Sequence, residues 1–188
     1  MKKLLFAAAA SALIAAPAAA QIPHITPFSF EARAGAIVPT GDFSDDTKPG
    51  LALSGSVTYH AIPLVGIYAG YSYNRPSLDV DGVDGNVTDH GLDVGARLGI
   101  PTPLIPIDPW IKAGVVVHQL KLDGSGATDF DSDWKAGYEV GAGLGFGFGP
   151  VSVTPGVSYV HYKSSVDGAD GDVDVNYVKA DIGVRIRL

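Results

Sequence analysis

Two series of aspartates and a few histidines are the residues of this 188-residue chain whose types and spacing could do chemistry. Asp79-Val-Asp81-Gly-Val-Asp84 and Asp170-Gly-Asp172-Val-Asp174 set carboxylates at short intervals, the hard oxygen ligands that Ca²⁺ prefers. Neither series keeps the EF-hand pattern of acidic or Asn groups at positions 1, 3 and 5, Gly at 6 and Glu at 12. Solvated acidic loops with at most weak calcium affinity are therefore expected, and no resident metal or cofactor. His90 beside Asp89, with His118 and His161, could support acid–base catalysis, but no motif places a nucleophile near them. The expectation is a protein that is not an enzyme. In Gly141-Ala-Gly143-Leu-Gly145-Phe-Gly147 glycine recurs every second residue, as along a strand, and not at the G-x-G-x-x-G spacing of a dinucleotide site. The chain has no Cys, which excludes thiol and disulfide chemistry, and its formal net charge of −7 without a basic stripe argues against nucleic-acid binding.

The N-terminus reads as an address. Lys2 and Lys3 precede an apolar run over residues 4–16, and Pro17-Ala18-Ala19-Ala20 offers a small-residue cleavage site before Gln21. That run is shorter than the ~20 residues a spanning helix needs. Residues 1–20 are thus expected to be a signal peptide, and residues 21–188 one exported domain.

Charged and aromatic side chains must be positioned by something, and period-two alternation supplies it. Eight segments, 28–38, 51–60, 65–74, 91–100, 111–119, 134–148, 151–159 and 177–188, each separate an apolar face from a small or polar one. The polar face carries Glu31, Arg33, Asp93, Arg97, Lys112, Lys135, Glu139, Lys179, Asp181, Arg185 and Arg187. The apolar face carries aromatics sorted to its two ends. Phe28, Phe30, Tyr59, Phe146 and Phe148 fall near one rim, and Tyr71, Tyr73, Trp134 and Tyr159 near the other. A soluble lipocalin-like barrel or sandwich would turn the apolar face inward and gives no reason for that sorting. Two aromatic girdles around an Ala, Val, Leu and Ile band are what two lipid interfaces select.

Connections alternate as well. Those at 61–64, 101–109 and 149–150 are short or bounded by Pro, whereas those at 39–50, 75–90, 123–133 and 163–174 are long and hold fifteen of the 20 acidic residues. The fold class expected is all-β, an eight-stranded antiparallel up-and-down transmembrane barrel.

Some of these segments carry a resemblance. Gly35-Ala-Ile-Val-Pro39-Thr-Gly41-Asp42-Phe43, Tyr68-Ala-Gly70-Tyr71-Ser-Tyr73, Pro109-Trp110-Ile111-Lys112-Ala113-Gly114 and the alternating last strand are similar to small eight-stranded outer-membrane barrels of the OmpA transmembrane-domain and OmpX type. These barrels usually end in Phe, where this chain has Leu188 after Val184 and Ile186. The resemblance implies residence in the cell outer membrane as a monomer, in contact with outer-membrane lipid and lipopolysaccharide. It also implies delivery by periplasmic chaperones and the barrel-assembly machinery, without the peptidoglycan-binding domain of longer relatives. The charged face would then line a lumen plugged by ion pairs, and the role would be structural or one of surface interaction. The alternative is a narrow pore, or an OmpW-like route for small or hydrophobic molecules.

Overall fold

The computed structural model describes residues 27–44, 47–62, 64–78, 85–100, 107–124, 130–165 and 172–188. Residues 1–20 lie outside them, as do Asp79, Asp81, Asp84 and Asp170.

The strands are β1 (Phe28–Thr40), β2 (Thr47–Ile62), β3 (Val65–Leu78), β4 (Gly85–Gly99), β5 (Trp110–Gly124), β6 (Phe130–Asp131), β7 (Lys135–Gly143), β8 (Phe146–Phe148), β9 (Val151–Ser165) and β10 (Asp172–Arg187). All pairings are antiparallel, β1 to β5 each pair with the next strand in sequence, β5 continues to β7, β9 and β10, and β10 pairs with β1, so the sheet closes on itself. β7 and β8 are two parts of one barrel strand that both pair with β9, and β6 is a short addition to β5 at the rim. Closure leaves eight strands and no free edge, which satisfies every ladder group without water.

Alternation decides which face goes where. On β1, Ser29, Glu31 and Arg33 are buried while Phe28 and Phe30 between them are exposed. The same holds around the barrel: Leu53, Ile67, Leu92, Val94, Val115, Val140, Val157 and Ile182 all lie outside, between 40% and 60% exposed. A continuous apolar exterior of this size is a lipid-facing band, since soluble monomers rarely expose one. Val94 sits midway along that band between Leu92 and Leu98. Replacing it with Arg is expected to destabilise the inserted barrel by about 2–4 kcal/mol, as a charge at the bilayer midplane does. Unfolding in lipid vesicles measures this, and the same change at the rim residue Tyr59 should cost far less.

Three differences from the sequence reading stand out. The strands run beyond the apolar band into the polar segments, so that residues 75–78, 85–90, 123–124 and 163–165 are ladder rather than loop. Segment 134–148 is interrupted at Leu144 and Gly145, whose backbone groups bond instead to Pro155 and Asp108. Toward the long-loop end, the interior turns apolar: Ile37, Val87, Val116, Leu120, Val160 and Val175 pack inside with Phe43, which lies on the 3-10 turn Gly41–Ser44 against β10. Outside the lipid band both faces of a strand can be apolar, which removes the alternation that period-two reading depends on. Gly41 takes φ 60°, and Gly149, in the tight turn between β8 and β9, takes φ 65°, a region that favours glycine.

Candidate functional site in the barrel lumen

The start of β1, the end of β10 and the tight turn between β8 and β9 lie at one end of the barrel, called here the turn end, and the strand ends that lead into the long connections lie at the other, the loop end. The inward side chains form three stacked groups between them.

Nearest the turn end, Glu31 is a hub. Its Oε1 accepts from Arg33 Nη1 and from Thr154 Oγ1 at 2.9 Å, and its Oε2 accepts from Arg97 Nη1 at 2.6 Å. Arg185 approaches the same oxygen at 4.0 Å. Arg33 reaches across to Asp181, with its Nε donating to Oδ1 at 2.9 Å, and its Nη2 donates to the Thr154 carbonyl at 2.9 Å. Trp110 closes this group from the side. The Arg97 guanidinium lies 4.1 Å and that of Arg33 5.1 Å from its ring centre, and its indole N–H donates to the Leu144 carbonyl at 3.2 Å. The indole needs glycine beneath it: a Cβ at Gly143 would fall 2.4 Å, and one at Gly156 2.6 Å, from its ring. Glycines inside the barrel here make room for a large side chain.

In the middle, Glu139 receives Lys112 Nζ at 2.8 Å and Lys179 Nζ at 3.0 Å on Oε1. Glu139 and Lys179 are buried and Lys112 is part-buried, its ammonium 5.7 Å from the Tyr68 ring.

Toward the loop end a third group joins β3, β4, β5, β9 and β10. His118 lies between two carboxylates, with Nδ1 2.9 Å from Asp89 Oδ1 and Nε2 2.9 Å from Asp93 Oδ1. Each ring nitrogen thus has its own carboxylate oxygen within hydrogen-bond distance. Asp89 also accepts from Tyr162 Oη at 3.0 Å, Tyr177 Oη at 2.6 Å and Asn74 Nδ2 at 3.1 Å, and Ser72 donates to Asp93. Asp89, His118 and Asn74 are 0% exposed.

Of the charged residues expected on the inner face, Glu31, Arg33, Arg97, Asp181 and Arg185 meet in the first group, Lys112, Glu139 and Lys179 in the second, and Asp93 in the third. Two stand apart. Lys135 is half-buried opposite His118 in the register, and Arg187 lies half-exposed at the turn-end rim, 3.7 Å from Asp108. Sequence reading places Asp89 among the loop acids and beside His90, whereas the structure sets them on opposite faces of β4. Asp89 enters the lumen, while His90 packs outside against Tyr71 and Trp134, accepting or donating to Tyr71 Oη at 2.9 Å. Trp110, Tyr162, Tyr177, Asn74, Ser72 and Thr154 are further lumenal residues that sequence reading misses as site members. Parity carries the signal for two of them: Trp110 has the parity of Lys112 on β5, and Asp89 that of Asp93 on β4.

The aromatics expected in girdles face outward, with Phe28 against Tyr59 at 5.3 Å on the turn-end side and Phe30, Phe146 and Phe148 close by in the register. On the loop-end side Tyr71, Tyr73, Trp134 and Tyr159 are joined by His90, Tyr138 and His161; Tyr138 lies 6.3 Å from Tyr159 and 5.1 Å from His161. Of the acidic loop residues, Asp172 begins β10 and Asp174 pairs loosely with Lys163 at 3.8 Å.

A cavity of about 30 Å³ lies beside Glu31, Tyr68 and Lys112, and one of about 90 Å³ opens at the turn end between Arg97, Trp110 and Arg185.

Known proteins with this architecture are small outer-membrane barrels. Neisserial surface protein A superimposes with a TM-score of 0.67 at 19% identity, covering 87% of this chain and 98% of that one. OprG from Pseudomonas aeruginosa gives 0.55 at 12% identity, with 89% and 100% covered, and the N-terminal barrel domain of Pseudomonas aeruginosa OprF gives 0.50 at 18%, with 84% and 96% covered. At these identities the likeness is one of fold. Comparison with curated proteins gives no match. The family model described as outer membrane protein beta-barrel domain matches residues 6–187, nearly the whole sequence, and the chain belongs to that family.

Proposed function

We propose that this outer-membrane barrel is a non-enzymatic scaffold whose lumen is closed to solutes and whose long loops carry its interactions at the cell surface. The observation that carries the reading is the stack of three hydrogen-bonded groups, which cross the lumen from β1 to β9, from β5 to β10 and from β4 to β10. An eight-stranded barrel has an interior just wide enough for side chains to fill. Two of the ion pairs, Glu31–Arg97 between β1 and β4 and Glu139–Lys179 between β7 and β10, join strands that are not neighbours, as do the hydrogen bonds of Asp89 on β4 to Tyr162 on β9 and Tyr177 on β10, so a solute would have to break buried contacts to pass. Among the described residues no His, Asp or Glu group has the arrangement of a metal centre, and the one buried histidine is held between two carboxylates rather than beside a nucleophile.

In this reading the chain is a monomer that contacts lipid and lipopolysaccharide through its apolar band and girdles. It reaches the outer membrane with a cleaved signal peptide, through periplasmic chaperones and the barrel-assembly machinery. The test is solute flux into liposomes carrying the refolded protein, alongside cell-surface binding by variants with exchanged loops. Flux no greater than that of empty liposomes, with surface binding that follows the loops, is the expected result. Flux of small sugars or amino acids through the unaltered barrel would replace the reading with a pore.

A further inference from the structure

We propose that the turn-end mouth of the lumen is a binding site for a phosphate-class oxyanion. The cavity of about 90 Å³ there is lined by Arg97, Arg185 and Arg187, with Trp110, His60 and Asp108. Two of the arginines are built in: Arg97 is 8% and Arg185 4% exposed. Yet Arg97 Nη2 and Arg185 Nε, both buried, have no hydrogen-bond partner among the described residues. A buried donor without an acceptor is costly, most of all on a charged group.

Charge counting points the same way. Arg33, Arg97 and Arg185 surround two carboxylates, those of Glu31 and Asp181, so one positive charge is left over. Glu31 is already committed to Arg33, Thr154 and Arg97, and it holds Arg185 only at 4.0 Å. The nearest carboxylate on the other side, Asp108, is half-exposed and pairs with Arg187 at 3.7 Å. Guanidinium groups are the preferred partners of planar and tetrahedral oxyanions because their donors form a fixed fork. Trp110 fixes the plane of one of them by stacking on it at 4.1 Å. The mouth is therefore lined by three arginines, two of them built into the wall with buried donors left unpartnered beside it, in a space open to the end that carries the short turns, which faces the periplasm in barrels of this kind. The phosphate group could belong to a lipid headgroup of the inner leaflet or to a free anion. This inference is independent of whether the lumen conducts.

The test uses the full-length barrel refolded in octyl glucoside, with Trp134→Phe as background so that Trp110 is the only indole. Inorganic phosphate is titrated at constant ionic strength against sodium chloride, and dihexanoyl phosphatidylglycerol against dihexanoyl glycerol. Expected is a saturable change in Trp110 emission together with a rise in Tm, produced by phosphate or by the phospholipid but not by chloride or the phosphate-free lipid. Response to the phospholipid alone identifies a headgroup as the source, and response to inorganic phosphate identifies a free anion. Arg185→Gln should weaken the apparent affinity by about tenfold or more, the loss of a charge-assisted hydrogen bond. Asp108→Asn, at a half-exposed position that folding tolerates, should strengthen it by up to about fivefold, since it removes a competing carboxylate. No saturable response to either probe, or an equal response to chloride, overturns the proposal, as does an Asp108→Asn barrel that binds no better than the parent.

Discussion

Replacing Glu31 with Ala is expected to cost the folded barrel about 3–5 kcal/mol, the penalty for leaving a buried ionic partner uncompensated. The reason is the number of cations this one carboxylate serves. Arg33 and Arg97 donate to it directly, Arg185 faces it at 4.0 Å, and all three are nearly buried. Without it, Asp181 is the remaining anion of the group, and it is already held by Arg33. Urea titration of the protein in vesicles, read by the heat-dependent gel shift, measures the loss. A second variant separates the ionic cause from a packing one. Adding Arg97→Met to Glu31→Ala removes a stranded cation while keeping apolar volume against Trp110, and stability should partly return. Additive losses from the two substitutions would contradict the hub arrangement.

Asp89→Ala is the second large effect, again about 3–5 kcal/mol. This carboxylate takes the His118 ring, two tyrosine hydroxyls and the Asn74 amide, all buried. Its removal leaves the buried His118 ring with Asp93 alone and leaves Tyr162 and Tyr177 as buried hydroxyls without their acceptor. Since the network links β3, β4, β5, β9 and β10, the loop end of the barrel should loosen more than the turn end. Hydrogen exchange in vesicles checks this, with faster exchange expected at residues 85–90 and 172–177 than at 28–33. Asp174→Ala, at a loosely paired and partly exposed position, should leave stability within about 0.5 kcal/mol of the parent. Equal effects at the two aspartates would mean that the buried network contributes nothing.

The architecture was legible because lipid and lumen impose opposite chemistry on alternate residues. Glu31, Arg33, Arg97, Glu139 and Lys179 could be assigned to the inside from parity alone. Which of them would meet could not, because the pairs join residues up to 148 positions apart and depend on the register of closure. Asp89 was hidden for a different reason. It lies in a polar stretch that reads as loop, and only the extension of β4 beyond the lipid band turns its carboxylate inward. Ile37, Val116 and Leu120 escape the pattern because the interior at that level is apolar, so that Val115, Val116 and Val117 read as a run without a preferred face. Trp110 shows the limit of composition: an aromatic at a strand end suggests an interfacial girdle, but its parity with Lys112 and the glycines at 143 and 156 place it inside, stacked on an arginine.

A central claim is that the lumen is filled by paired charges and passes no ions, and single-channel recording in a planar bilayer tests it most directly. Arg97 lines both the cavity beside Glu31 and the one at the turn end, so Arg97→Ala is the variant to record beside the parent. The expected result is a stably inserted, silent barrel in both cases, because the Glu139 and Asp89 groups still close the lumen above. Reproducible openings of the parent whose size or ion selectivity changes in Arg97→Ala would contradict the account and make the charged groups the lining of a pore.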